Sequence, residues 1–187
     1  RPASPRFGWD PANDTLAGPL VDRGDRRPWI AVHANTETAQ HYGYVKDWPA
    51  DAWRTLFREM ARRRDVRFVL LGHGREPAFD EPNVVDLRGR TGFLAMLALV
   101  RTRCTALVAP DGGILNAVYF LDAEFPITVV SLWSDPRQGL LKARSRSPNP
   151  GLVHVPLVGA GHDVRGIAPT DVLAALEIAI APREGSA

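Results

Sequence analysis

Ala-Leu-Val-Ala-Pro-Asp-Gly-Gly-Ile-Leu-Asn-Ala-Val, residues 106–118, is the stretch from which the fold is read. Its first four residues predict a short buried strand. Asp111, Gly112 and Gly113 predict a tight turn, and the apolar positions from Ile114 to Leu121 predict a helix. A strand that runs through glycines into a helix gathers free backbone N–H groups at one point, where the helix dipole favours an anion. In an open parallel sheet, ligands bind at the carboxyl ends of the strands. A phosphate-bearing ligand is therefore expected at this turn. Taken alone, Asp-Gly-Gly reads first as a helix cap and a place for the chain to turn, so its surroundings decide.

Those surroundings repeat the same alternation. Residues 29–33 predict a first buried strand. A polar loop follows, from His33-Ala34-Asn35-Thr36-Glu37-Thr38 to Lys46-Asp47-Trp48-Pro49. Pro49 suits a first helical turn, and Asp51 complements the dipole there. Trp53, Leu56, Phe57, Met60 and Ala61 recur at the spacing of one helix face. Residues 66–71 predict a second strand ending in Gly72-His73-Gly74-Arg75-Glu76, and residues 84–87 a third. Residues 93–100 predict a strongly apolar helix buried on more than one side. A fifth strand is expected at 127–132, then a polar loop over the site at 134–150, a last strand at 153–157, and an amphipathic helix begun by Pro169. Strands alternating with helices predict a doubly wound, Rossmann-like α/β domain with a parallel sheet, over residues 29–187. Residues 1–28, rich in Pro, Gly, Asp and Arg, read as a linker or extended N-terminal arm that Phe7 and Trp9 could anchor, or as a partly disordered tail.

Composition narrows the function. The 187 residues are 45% hydrophobic and 24% charged, ordinary for a soluble globular chain. A net charge of +2 does not point to nucleic acid. No apolar run is long enough to cross a bilayer, and no secretory leader is visible. The sequence opens at Arg1 rather than methionine, which fits a fragment or a processed product. One cysteine, Cys104, fits a reducing compartment, and a cytoplasmic location is expected. Among 23 basic residues only Lys46 and Lys142 are lysines, so a compact ammonium is singled out at position 46.

Motif arithmetic excludes several chemistries. The five histidines and the single cysteine show no metal-ligand spacing. The Gly-x-Gly-x-x-Gly fingerprint is absent after the first strand, and there is no Gly-x-Ser-x-Gly elbow or Walker loop. What remains is convergence. The loops after the first, second and fourth strands should open on one sheet edge. They carry Asn35, Thr36 and Lys46, then Gly72 and Glu76, then Asp111, Gly112, Gly113 and Asn116. Backbone donors, an ammonium and two carboxylates suit a nucleoside diphosphate linked to a sugar.

Four pieces, in order, resemble the C-terminal half of glycosyltransferase family 9, the heptosyltransferase-like enzymes of the GT-B fold. They are Lys46-Asp47-Trp48-Pro49, Val69-Leu70-Leu71-Gly72 with Glu76, Asp86-Leu87-Arg88-Gly89-Arg90-Thr91, and Asp111-Gly112-Gly113 with Asn116. The resemblance spans residues 29–180. It implies that Lys46 stabilises a leaving diphosphate, Glu76 holds the ribose and Thr91 lies near the base. Asp111 and the glycines would hold the donor sugar and diphosphate, with no metal and no other cofactor. The donor would be a nucleotide sugar such as ADP-heptose, transferred with inversion. The acceptor would be a lipopolysaccharide core or another glycan, at the inner face of the membrane.

Three departures from the family pattern stand out. Gly112 replaces a usual threonine, Asn116 replaces a usual histidine, and His33-Ala34-Asn35-Thr36 replaces a usual Pro-Gly-Ala-Ser. Family members also carry an N-terminal domain that binds the acceptor and supplies the general base. The 187 residues leave no room for it, so the expectation is donor binding without transfer by this chain alone. Two alternatives stay open: a non-catalytic nucleotide-sugar module or degenerate relative acting through a partner, and a doubly wound domain with a different ligand.

Overall fold

A computed structural model of the chain describes residues 5–20, 22, 24–36 and 45–181. The predicted loop residues Glu37 and Thr38 lie outside this set. In chain order the elements are β1 (Phe7–Gly8), a 3-10 helix (Pro11–Leu20), β2 (Trp29–Val32), α1 (Ala50–Arg63), β3 (Arg67–Leu70), β4 (Val84–Asp86), α2 (Phe93–Arg103), β5 (Cys104–Pro110), α3 (Gly113–Tyr119), β6 (Leu121–Asp122), β7 (Ile127–Trp133), α4 (Gly139–Ala143), β8 (Leu152–Val158), two 3-10 turns (Ala160–His162 and Val164–Gly166) and α5 (Pro169–Ile180).

Among the described residues six strands form one sheet, in the order β4-β3-β2-β5-β7-β8. Every pairing is parallel. Parallel strands need crossovers, and the helices supply them on both faces. Alternation along each strand sorts the core into two halves. Ile30, Val32, Phe68, Leu70, Ala106, Val108, Val130 and Leu132 pack with Trp53, Leu56, Phe57 and Met60 of α1 and with Val172, Leu173 and Leu176 of α5. Ala31, Val69, Leu71, Leu107, Ala109 and Val129 pack with α2, α3 and Leu140 of α4. This is the doubly wound sheet expected from the sequence.

Helix α1 shows how local chemistry sets one layer. Pro49 stands at its N-cap, Asp51 lies in the first turn, and Arg62 and Arg63 lie in the last, all in favourable dipole positions. Its buried stripe continues into an aromatic stack. Trp48 meets Trp53 edge-on at 4.8 Å, and Phe57 lies 4.7 Å from Phe68 and 5.4 Å from Phe79.

The segment before β2 is more structured than a linker pattern conveys. β1 pairs with β6 in a separate two-stranded parallel sheet, and the 3-10 helix lies along α2. Ala17 is buried, Phe7 meets Phe93 at 6.3 Å, and Trp9 Nε1 donates to Asp14 at 3.0 Å. Asp14 also pairs with Arg101 of α2. This cover explains why α2 buries five consecutive residues, Met96, Leu97, Ala98, Leu99 and Val100. One side faces the sheet and another faces the arm, so no polar stripe is needed.

Two further differences from the sequence reading are local. α3 ends at Tyr119, and Leu121 enters β6 instead of extending the helix. The predicted loop at 134–150 contains α4, pinned by buried Leu140 and by Tyr119 Oη donating to the Ser145 carbonyl at 2.9 Å.

Ala17→Asp should cost about 3 kcal/mol in urea unfolding, because it places an unpaired carboxylate between the arm and α2. Phe57→Ala should cost about 4 kcal/mol through the cavity it leaves. The same truncation at exposed Ile178 should stay within about 0.5 kcal/mol.

Candidate functional site

The strand order changes direction between β2 and β5. Chain leaving β2 goes on to β3 and β4 on one side, and chain leaving β5 goes on to β7 and β8 on the other. Ligands of doubly wound sheets bind at the carboxyl ends beside such a switch point. A cleft of about 240 Å³ lies there, lined by His33, Asn35 and Thr36 after β2, Gly72 and His73 after β3, Gly112 and Gly113 after β5, and by Phe93, Met96 and Ile114.

The glycines are placed for close approach. Gly72 has φ +127°, a conformation side chains rarely adopt, and a Cβ there would stand 3.2 Å from the His33 ring. A Cβ on Gly112 would stand 3.3 Å from Thr36 Cγ2 and 3.5 Å from the other side of the same ring. The imidazole of His33 is thus held between two glycine turns. Burial pushes its pKa down to about 4, and neighbouring His73 adds to the shift, so it is neutral at pH 7. Its Nδ1 is buried without a hydrogen-bond partner, as are Asn35 Oδ1 and Thr91 Oγ1. Unpartnered buried polar atoms are costly, and His33 and Asn35 place two of them at one strand end.

Lys46 is buried at 8% exposure, and its Nζ lies 3.4 Å from Asp111 Oδ2. The pair joins the loop after β2 to the loop after β5. Asp47 turns the other way: its Oδ1 accepts from the Thr36 N–H at 2.6 Å and from the Thr36 hydroxyl at 2.8 Å. A hydroxyl that donates to Asp47 has only acceptor capacity left for a ligand. Gly139 completes the surroundings of Asp111. Its φ is +43°, and a Cβ there would reach 2.8 Å from the Trp133 ring and 3.1 Å from Asp111 Oδ1.

Of the residues expected from sequence, Asn35, Thr36, Gly72, Gly112 and Gly113 line the cleft, and the Lys46–Asp111 pair adjoins Gly112. Glu76 is exposed and outside the lining, on the loop between Gly72 and Phe79. Thr91 lies just before α2 and is also outside the lining. Asn116 Nδ2 donates to the Gly112 carbonyl at 3.0 Å, so this side chain holds the turn. The backbone amides of residues 113–115 open α3 and have no carbonyl partner inside the helix.

Sequence reasoning did not assign roles here to His33, His73, Phe93, Met96 or Ile114. Nothing in the sequence sets His33 apart from an ordinary strand terminus. For Phe93 and Met96 the signal was the first turn of a helix too apolar to be explained by one buried face. The motif residue Arg88 plays a supporting part. Fully buried, it pairs with Asp86 at 2.8 Å and donates to the Pro77 carbonyl at 2.9 Å, fastening the loop that carries Glu76. Among the described residues no group of three His, Cys, Asp or Glu side chains is arranged to hold a metal ion, and no helix is long and apolar enough to cross a membrane.

No protein-family profile matches this chain, and no curated protein matches it in sequence. Solved structures do match. The E. coli ADP-heptose lipopolysaccharide heptosyltransferase II aligns with a TM-score of 0.63 at 18% identity, over 93% of this chain and 53% of its own. The E. coli heptosyltransferase WaaC, solved with ADP, aligns with a TM-score of 0.56 at 16% identity, over 81% of this chain and 44% of its own. The chain therefore spans about half the length of the structures it matches, and it shares the fold of the corresponding half of these GT-B heptosyltransferases.

The depressed His33 has a consequence for stability. An imidazole that titrates near 4 when folded and near 6.5 when unfolded opposes folding only once the unfolded chain takes up the proton. Its contribution is therefore intact above about pH 6.5 and is lost as pH falls toward 4. Melting temperature measured from pH 7 to pH 4 should fall less steeply in His33→Gln than in the wild-type chain.

Proposed function

We propose that this chain is the donor-binding domain of a glycosyltransferase, holding a nucleoside diphosphate sugar at the β2–β5 switch point. The observation that carries the reading is the cleft itself, floored by Gly72, Gly112 and Gly113 and adjoined by the buried Lys46–Asp111 pair. A diphosphate would lie at the Gly112–Gly113 turn, where a Cβ on Gly113 would meet nothing within 4 Å and the amides that open α3 have no carbonyl partner inside the helix. Lys46 sits where charge would develop on the leaving phosphate, and a fixed ammonium aimed there lowers the barrier to transfer. Asp111 orients that ammonium. In this reading lysine and backbone amides supply the positive charge, and no metal is required.

The apolar wall of Phe93, Met96 and Ile114 suits the base, with Thr91 close by in sequence. ADP is the favoured nucleotide, because the structural neighbours are an ADP-heptose enzyme and one solved with ADP. We infer transfer with inversion to a glycan or glycolipid acceptor at the inner membrane face. The acceptor site and the general base would come mainly from a second, N-terminal domain.

One observation favours the alternative of a binding module without transfer. The Asn116 amide is folded back on the Gly112 carbonyl, at the place where the resembled family usually has a histidine.

Calorimetry with ADP, UDP and GDP tests the reading. ADP should bind, and Lys46→Ala should weaken it at least about tenfold, the cost of one charge-assisted contact. A well-folded chain that binds none of the three would overturn the proposal. Phe93→Ala should weaken ADP about fivefold and leave pyrophosphate binding unchanged, separating the base wall from the phosphate floor.

A further inference from the structure

Lys46 lies on a short segment held from several sides. On one flank, Asp47 is taken by Thr36, and Trp48 donates through Nε1 to the Ile167 carbonyl at 3.0 Å. On the other flank is the peptide bond that joins Val45 to Lys46. The Ser134 hydroxyl, beyond the end of β7, donates to the Val45 carbonyl at 2.5 Å. The same oxygen accepts the Val164 N–H at 3.1 Å. Ser134 is 4% exposed; its bond from Val164 is buried and its bond to Val45 partly so, and a buried partner left unmatched is costly.

We infer that Ser134 is a positioning residue for Lys46, fixing the ammonium relative to Asp111 and to an incoming diphosphate. Three loops meet at this one hydroxyl: the segment after β2, the end of β7, and the Val164–Gly166 turn that leads to Ile167. The hydroxyl acts as donor to one loop and acceptor from another, and alanine supports neither bond. A lysine side chain is long and flexible. Its tip keeps a defined place only if the backbone from which it starts is fixed. Val45 is exposed, so burial of its side chain does not do this. Among the described residues, the hydrogen bond to its carbonyl is a restraint on that side. The inference rests on the donor-site reading for its effect on binding, but its structural part stands apart from any ligand.

Two measurements test it. The first is a double-mutant cycle in ADP affinity with Ser134→Ala and Lys46→Ala. Ser134→Ala should weaken ADP about tenfold in the wild-type background and less than about twofold in the Lys46→Ala background. Equal losses in both backgrounds, or no loss in either, would overturn the inference, because a general packing defect acts without regard to Lys46. The second needs no ligand. The chain has two lysines, and Lys142 is exposed, so a spectrum of the lysine ε-methylene groups resolves one restrained and one free side chain. In Ser134→Ala the Lys46 signal should move toward that of Lys142, which stays in place; a stationary Lys46 signal counts against the assignment even if ADP fails to bind the wild-type chain. Failure of ADP to bind, with the Lys46 signal moving, removes the donor-site reading and leaves the positioning contact intact. If Ser134→Ala does not fold, Ser134→Cys keeps the volume with a poorer donor and should give the same pattern with smaller changes.

Discussion

The parallel pairing of β2 with β5 at the middle of the sheet is the constraint on which the molecule turns. Ile30 stands beside Ala106, Ala31 beside Leu107 and Val32 beside Val108. The ladder runs one step further, with the His33 N–H donating to the Val108 carbonyl at 3.0 Å. Beyond that point the two chains separate, because their crossovers serve opposite halves of the sheet. A crevice between diverging loops is the geometric result. His33, Asn35 and Thr36 reach it from one side, and Gly112 and Gly113 from the other. Any weakening of the β2–β5 ladder would move both walls of the candidate site at once.

A crevice between loops becomes a site only when the loops are held. Here the holding is polar and crosses from loop to loop. The Lys46–Asp111 pair joins the loops after β2 and β5, Thr36 fastens Asp47, Trp48 reaches Ile167, and Ser134 gathers Val45 and Val164. Such bonds contribute modest net stability, roughly 1 kcal/mol each, yet leaving one buried partner unmatched costs more. They therefore act on geometry more than on folding free energy. The apolar layers do the opposite. Trp53, Phe57, Phe68 and their neighbours stabilise the domain strongly and leave the position of the lysine tip undetermined.

Much of the fold was legible because its signals are local and periodic. The buried strands are continuous apolar runs bounded by turn residues. α1 announces itself by Pro49, Asp51 and a helical stripe ending in Arg62 and Arg63. The two-residue strands β1 and β6 carry no period at all, and the 3-10 helix of the arm contains Pro19. Those elements exist because α2 offers an apolar outer face to cover. In the site, Asn35, Thr36, Gly72, Gly112 and Gly113 could be proposed from their places at strand ends. His33 could not be told from an ordinary strand terminus, since its meaning comes from being held between Gly72 and Gly112.

The sequence by itself determined the alternation of strands and helices, the two-sided burial of the sheet, and the short set of loops that meet at its carboxyl edge. These follow from hydrophobic period and turn chemistry, which act over a few residues. Only the tertiary structure decided which polar groups are committed and which remain unpaired. The Thr36 hydroxyl is committed to Asp47, the Asn116 amide to Gly112, and Arg88 to Asp86 and Pro77. Asn35 Oδ1 and His33 Nδ1 keep no partner. A side chain's hydrogen-bond partner is set by distance in space, and residues such as Val45 and Ser134 meet only after the sheet has brought its loops to one edge.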